Sequence, residues 1–181
     1  AVREARNHVG RDFALMVDAN QGWRVSVLGP APLWDLDRAT RFGQICDELD
    51  YTWIEEPLMP DEYAAHAKLA KSLEGLGCAT HFATGEHEYT HHGFQQLIDA
   101  GVSLVQPDVM WMGGPTEFAR VVALASAQGV AVVPHGCGVH GYYMAMAFSH
   151  TTLAEFIMMN EKADAIEPNF GSMFKNEPLP E

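Results

Sequence analysis

The stretch YTWIEEP, Tyr51–Pro57, reads as a short apolar strand that stops abruptly in two carboxylates before a proline. Moving outward, the same pattern recurs on both sides. Upstream, FALMVDA (Phe13–Ala19) closes on Asp18; downstream, THFATGEH (Thr80–His87) closes on Glu86. The intervals from Asp18 to Glu55 and from Glu55 to Glu86 each hold about one strand–helix unit, roughly 30 residues. Three acids, Asp18, Glu55 and Glu86, thus stand at the same end of three successive buried strands, where they can converge on one hard cation. Glu55 and Glu56 are neighbours, and side chains alternate along a strand, so only one of that pair is expected to face such a mouth.

Between these runs the apolar period lengthens to that of a helix. Asp35 is placed as the N-cap of a helix over about 35–50, with Leu36, Ala39, Phe42, Ile45, Cys46 and Leu49 at helical spacing. Further helices are expected over Pro60–Glu74, stopped by Gly75 and Gly77, over Gly93–Ala100, and over Thr116–Gln128 after Pro115. Residues Tyr142–Thr151 are also helix-like. LVQPDV (Leu104–Val109), VAVVPHG (Val130–Gly136) and AEFIMM (Ala154–Met159) complete six strands. Strands this apolar need cover on both faces, which means a parallel sheet packed with helices.

A doubly wound open sheet and a (β/α)8 barrel both fit that alternation. The polar residues decide between them. Asp18, Glu55, Glu86, Asp108, His135 and Glu155 fall at or near the C-terminal ends of all six strands; a barrel brings every strand end to one mouth, whereas an open sheet uses mainly one crevice. The fold expected is α/β, a partial TIM-like barrel of about six of the eight β–α units, with residues 1–181 forming one incomplete barrel domain. The opening AVREARNHVGRD reads as the tail of a helix, there is no initiator Met, and NEPLPE is a proline-broken end. These features are read as an internal piece of a longer protein, and since six strands cannot close an eight-stranded barrel, two more are expected upstream.

With 181 residues, 48% of them hydrophobic, the chain can bury a sizeable core. A formal charge of −13 argues against nucleic acid or an anionic membrane as partner. No run is long and apolar enough for a membrane span, and no signal-peptide pattern is present. Cys46, Cys78 and Cys137 are odd in number and form no CxxC pair, so they read as buried reduced thiols of a cytoplasmic protein.

The chemistry follows from residue types and places. Mg²⁺ takes oxygen ligands octahedrally, and two Glu with one Asp leave half its shell open. His135 ends one strand and Asp108 the strand before it. Neighbouring strands lie about 4.8 Å apart, close enough for the carboxylate to hold the imidazole in one tautomer and make it a better base. A lone histidine here is as readily structural; the acidic mouth and the adjacent Asp favour the base. His81, His91 and His92 are read as surface or loop residues, since no HxH or HExxH pairing supports zinc. The four tryptophans are packing residues, with Trp23 and Trp111 the candidate substrate walls. Gly113–Pro115 is read as a helix entry, and Met144, Met146, Met158 and Met159 as core.

Taken together, VDANQGW, WIEEP, GEHEYT, QPDVMWMGG and VPHG, in this order, resemble the barrel domain of the enolase superfamily, mandelate racemase branch. GEHEYTHHGFQQLID, QPDVMWMGGPTE and AEFIMM…NEPLP are similar to the L-rhamnonate dehydratases within it. The likeness runs over essentially the whole chain. It implies Mg²⁺ as cofactor, held by Asp18, Glu55 and Glu86, and a catalytic dyad of His135 and Asp108. Glu155 would touch the substrate on the side opposite the metal, with His87 a further substrate contact. The implied reaction removes a proton next to a carboxylate, the ene-diolate being stabilised by Mg²⁺, and expels the 3-hydroxyl of a small acid sugar. The resemblance further implies a homo-oligomeric full-length protein, with two first barrel strands and an α+β capping domain that this chain does not include. The readings left beside it are another acid-sugar dehydratase or racemase of the superfamily (galactonate, gluconate or mandelate type), a zinc hydrolase on a similar barrel, and an inactive metal-binding barrel piece.

Overall fold

The structure is a computed structural model that describes residues 1–22, 33–136, 138–151 and 153–155. Helix α1 (Val2–Val9) leads into β1 (Leu15–Asp18), then α2 (Leu36–Glu48), β2 (Tyr51–Glu55), α3 (Tyr63–Gly75), β3 (His81–Thr84) and α4 (Thr90–Asp99). β4 (Leu104–Val105), α5 (Pro115–Gln128), β5 (Ala131–Val132) and α6 (Val139–Ala147) follow. The strands are hydrogen-bonded in chain order, β1-β2-β3-β4-β5, and β1/β2 and β2/β3 are parallel. A doubly wound sheet reverses its order at a switch point; this one never does, which is barrel topology. No helix among the described residues is long and apolar enough to cross a membrane.

The chain divides into two compact units. The first is Ala1–Thr84 with Gln96–Leu104. Its core is Ile54, Leu69, Leu73, Phe82, Ala83, Ala39 and Cys46 from β2, β3, α2 and α3. α2 and α3 approach closely because position 43 is glycine: a Cβ there would lie 2.6 Å from Leu73 Cδ2. Arg6, buried on α1, donates to four carbonyls, those of Leu49 (2.7 Å), Gly10 (2.7 Å), Phe13 (2.7 Å) and Asp50 (2.8 Å). A buried guanidinium is tolerable only when its donors are satisfied in this way, and the result ties α1 to the α2–β2 turn.

The second unit is Gly85–Gln95 with the chain from Val105 onward. Phe94, Val105, Met112, Phe118, Val121, Ala125 and Val132 form its core. α5 enters through Gly114 (φ 88°) and Pro115 and ends on Gly129 in the left-handed conformation (φ 69°), as the Gly113–Pro115 reading anticipated. Val133 N–H donates to Val105 O (3.0 Å) and His135 N–H to Pro107 O (3.2 Å), which sets β5 alongside the chain leaving β4.

Several expectations are corrected. β1, expected as a buried strand, alternates half-buried and exposed, with Phe13 and Met16 exposed; among the described residues its strand partner is β2. α3 begins at Tyr63, past Pro60, and α4 begins at Thr90. The last described helix spans Val139–Ala147 and not Tyr142–Thr151; Met146 is 82% exposed on it and is not core. Cys46 is buried, but Cys78 only half so. The sixth strand, Ala154–Met159, lies largely outside the described residues, as do Trp23, Cys137, Met158 and Met159.

Candidate active site

Among the described candidates, Asp18 and Glu55 close β1 and β2, and Glu86, His87, Asp108, Trp111 and His135 lie in the segments that follow β3, β4 and β5. In the first unit Asp18 closes β1 and Glu55 closes β2, and the two are partners in the parallel register. Asp18 is exposed, and both its oxygens are oriented by the next turn: Asn20 donates its backbone N–H to Oδ1 (2.6 Å) and its side-chain amide to Oδ2 (3.0 Å). Glu55 is buried and accepts from Trp53 Nε1 (3.3 Å). Glu56, a residue the strand argument set aside, is buried more deeply still and accepts from Gln21 N–H (3.0 Å). Its backbone has φ 46°, so the pleat ends at Glu55 and the alternation rule no longer puts the two glutamates on opposite faces. A positive φ at a glutamate leaves no mark in the sequence. Two carboxylates on neighbouring strand ends form a hard oxygen donor set, the kind Mg²⁺ selects.

In the second unit four predicted residues meet. His135 Nδ1 lies 2.9 Å from Asp108 Oδ2, and its Nε2 lies 3.2 Å from Glu86 Oε2 and 3.9 Å from Glu155 Oε2. Asp108 is itself fixed, because its Oδ1 accepts the backbone N–H of Met110 (2.7 Å) and Trp111 (3.3 Å). Glu155 also accepts from Gly136 N–H (2.5 Å), holding the turn behind the imidazole. Burial by itself lowers the His135 pKa. The hydrogen bond the ring donates to Asp108, then the bond and charge of Glu86, then the charge of Glu155 outweigh it and push the pKa up to about 10. The ring in this arrangement is an imidazolium tethered at one nitrogen and facing carboxylates at the other. Such a group can hand a proton across the site and take it back.

His87, on the same turn as Glu86, sets its Nδ1 3.1 Å from Glu86 Oε1. The half-exposed Trp111 ring stands 5.7 Å from the His87 ring and 6.4 Å from that of His135, a wall beside both. Trp23, the other expected wall, is outside the described residues. His81, His91 and His92, read as surface or loop residues, are exposed or half-exposed. His91 Nδ1 is 2.7 Å from Glu117 Oε2, the His92 ring lies 4.0 Å from that of His91 at a 37° tilt, and Arg120 also pairs with Glu117, which ties the start of α4 to α5. His91's hydrogen bonds are the first cause that holds the Glu117 carboxyl down to about 2. His81 meets Ser103 Oγ at 3.0 Å.

Fold and site together define a barrel-type α/β domain whose strand ends carry acids and a His–Asp pair. Residues 1–180 match the enolase C-terminal domain-like family, and the chain belongs to it. It is 37% identical over 180 residues to the L-rhamnonate dehydratase of Saccharopolyspora erythraea, covering 99% of this chain and 43% of that protein. The crystal structure of rhamnonate dehydratase from Gibberella zeae complexed with Mg superposes with a TM-score of 0.83 at 32% identity, over 98% of this chain and 40% of that one. L-talarate/galactarate dehydratase from Salmonella typhimurium gives a TM-score of 0.66 at 30% identity, over 86% and 36% of the two chains. This chain therefore spans less than half the length of these relatives.

Proposed function

We propose that the complete protein is a Mg²⁺-dependent acid-sugar dehydratase that converts L-rhamnonate to 2-keto-3-deoxy-L-rhamnonate and water. The observation that carries the reading is the His135 imidazole, anchored by Asp108 at one nitrogen and opposed by Glu86 and Glu155 at the other. Asp18, Glu55 and Glu86 would hold the ion, and their all-oxygen, triply anionic donor set fits Mg²⁺. When bound, the ion supplies Lewis-acid stabilisation of the enolate that forms beside the substrate carboxylate.

The chain's own residues supply the rest. Replacing the Glu86 contact at Nε2 by the substrate removes support for the cation, which brings the imidazole into its base form. His135 Nε2 then accepts the C2 proton while Asp108 holds Nδ1–H and the ring plane. As the C3–O bond breaks, the imidazolium returns that proton to the departing hydroxyl, which leaves as water, and the enol formed becomes the 2-keto acid. Glu155 would receive a substrate hydroxyl, a role supported by its Oε2 lying 3.9 Å from His135 Nε2. His87 and Trp111 form a mixed polar and aromatic wall for the sugar chain. The similarity to the Saccharopolyspora and Gibberella enzymes supports L-rhamnonate, and the reading includes a cytoplasmic homo-oligomer acting on a free small molecule.

The test is turnover of the complete enzyme on a panel of aldonic and aldaric acids with Mg²⁺, beside His135→Asn. L-Rhamnonate is expected to be the best substrate, with His135→Asn reducing kcat by about 10²–10⁴ while calorimetric Mg²⁺ affinity stays near wild type. Turnover of galactarate with none of L-rhamnonate would favour the reading suggested by the Salmonella relative. Full activity in the variant would remove His135 from the chemistry.

A further inference from the structure

Glu86 and His87 sit on a four-residue turn, Gly85-Glu86-His87-Glu88, closed by Glu88 N–H donating to Gly85 O (3.0 Å). Both ends of this turn are pinned. At Gly85 the backbone has φ 133°, and a Cβ would meet Phe94 Cε1 at 2.8 Å and Gln106 N at 3.0 Å, so only glycine lets the chain pass. At the other end Glu88 is a buried carboxylate, 8% exposed, directly under α4. Its Oε1 accepts Tyr89 N–H (2.8 Å), and its carboxyl fills the space above Gly93. A Cβ on Gly93 would collide with Glu88 Oε1 and Cδ and lie 2.8 Å from Cγ. Two residues beyond Glu88, Thr90 is held at φ 57° and donates its N–H to Met112 O (3.2 Å).

A glycine in the first turn of a helix gives up helix propensity relative to alanine, and at Gly93 the space so left is filled by the Glu88 carboxyl. What that contact fixes is the turn carrying Glu86 and His87. We propose that Glu88, seated on Gly93, is a positioning residue that aims Glu86 and His87. The proposal rests on the function proposed above in taking Glu86 as a metal ligand. Partners one shell out from a ligand commonly govern affinity by 10–100-fold.

The experiment compares the complete wild-type enzyme with Glu88→Ala, Gly93→Ala, the double variant and Glu88→Gln, by calorimetric Mg²⁺ binding and by the His87 and His135 ring resonances of the metal-free protein. Glu88→Ala and Gly93→Ala are each expected to weaken Mg²⁺ about 10-fold or more, and the double variant no more than the worse single one, since both remove the same contact. Glu88→Gln keeps an acceptor for Tyr89 N–H and should stay within about threefold of wild type. A contact that merely stabilises the fold would lower the melting midpoint while leaving Mg²⁺ affinity and the ring resonances alone; that result overturns the proposal. Should wild type itself fail to bind Mg²⁺, the metal reading of Glu86 fails and the ring resonances decide: displaced in Glu88→Ala they uphold the positioning role, unmoved they end it.

Discussion

His66 lies completely buried on α3, stacked on the Phe82 ring at 5.3 Å, and neither ring nitrogen has a hydrogen-bond partner among the described residues. Burial lowers its pKa; the Pro60 and Met59 backbone and the Asp61 charge pull the other way without prevailing. The sign follows directly. Above the ordinary value of 6.5 neither folded nor unfolded chain is charged at this position. As pH falls through 6.5 the unfolded chain takes up the proton and the folded one resists, so stability is lost, by at most about 1.4 kcal/mol at one unit below. His66→Leu should therefore flatten the fall in urea midpoint between pH 7.5 and 5.5; an equal fall in the variant would refute the assignment. His66 had no signature in the sequence, because a histidine on a helix face is silent about what packs over it. Asp108 and His135 were legible, since each ends an apolar run and adjacent strands bring such ends together. Glu88 was not: its role depends on a missing Cβ at Gly93, a shape relation between two elements.

At the scale of elements, legibility followed the strength of the local signal. Asp35 was read as an N-cap and is one: its Oδ1 accepts Arg38 N–H (2.8 Å) and its backbone is extended (φ −102°, ψ 175°). Asp35→Ala should lower unfolding stability by about 1 kcal/mol, and Asp35→Ser by much less, as read from denaturant midpoints. Equal losses in the two variants would mean the side-chain cap does not contribute. Where caps are weak, boundaries moved. α3 has no side-chain cap hydrogen bond and begins three residues after Pro60, and α6 follows Gly138 (φ 56°), a start that neither periodicity nor capping chemistry announces.

For the molecule as a whole, the order of strands was recoverable because polar residues at strand ends carry topological information that apolar runs do not. The same acids load the chain with 24 carboxylates against 11 Lys and Arg. A net charge of −13 repels itself, so unfolding stability should rise with NaCl as screening shortens the Debye length to about 10 Å at 0.1 M. That response is indifferent to which cation screens. A bound ion acts differently, adding RT ln(1 + [L]/Kd), about 2.7 kcal/mol at a hundredfold excess over Kd. Mg²⁺ is therefore expected to raise the melting midpoint of the complete protein beyond NaCl at matched ionic strength, and EDTA to reverse the excess. Asp18→Asn should abolish the excess and keep the NaCl response, because it removes one negative charge of many but one oxygen donor of few. If Mg²⁺ proves no better than Na⁺ at equal ionic strength, the acids at the strand ends are only a charged surface and the three carboxylates hold no metal ion.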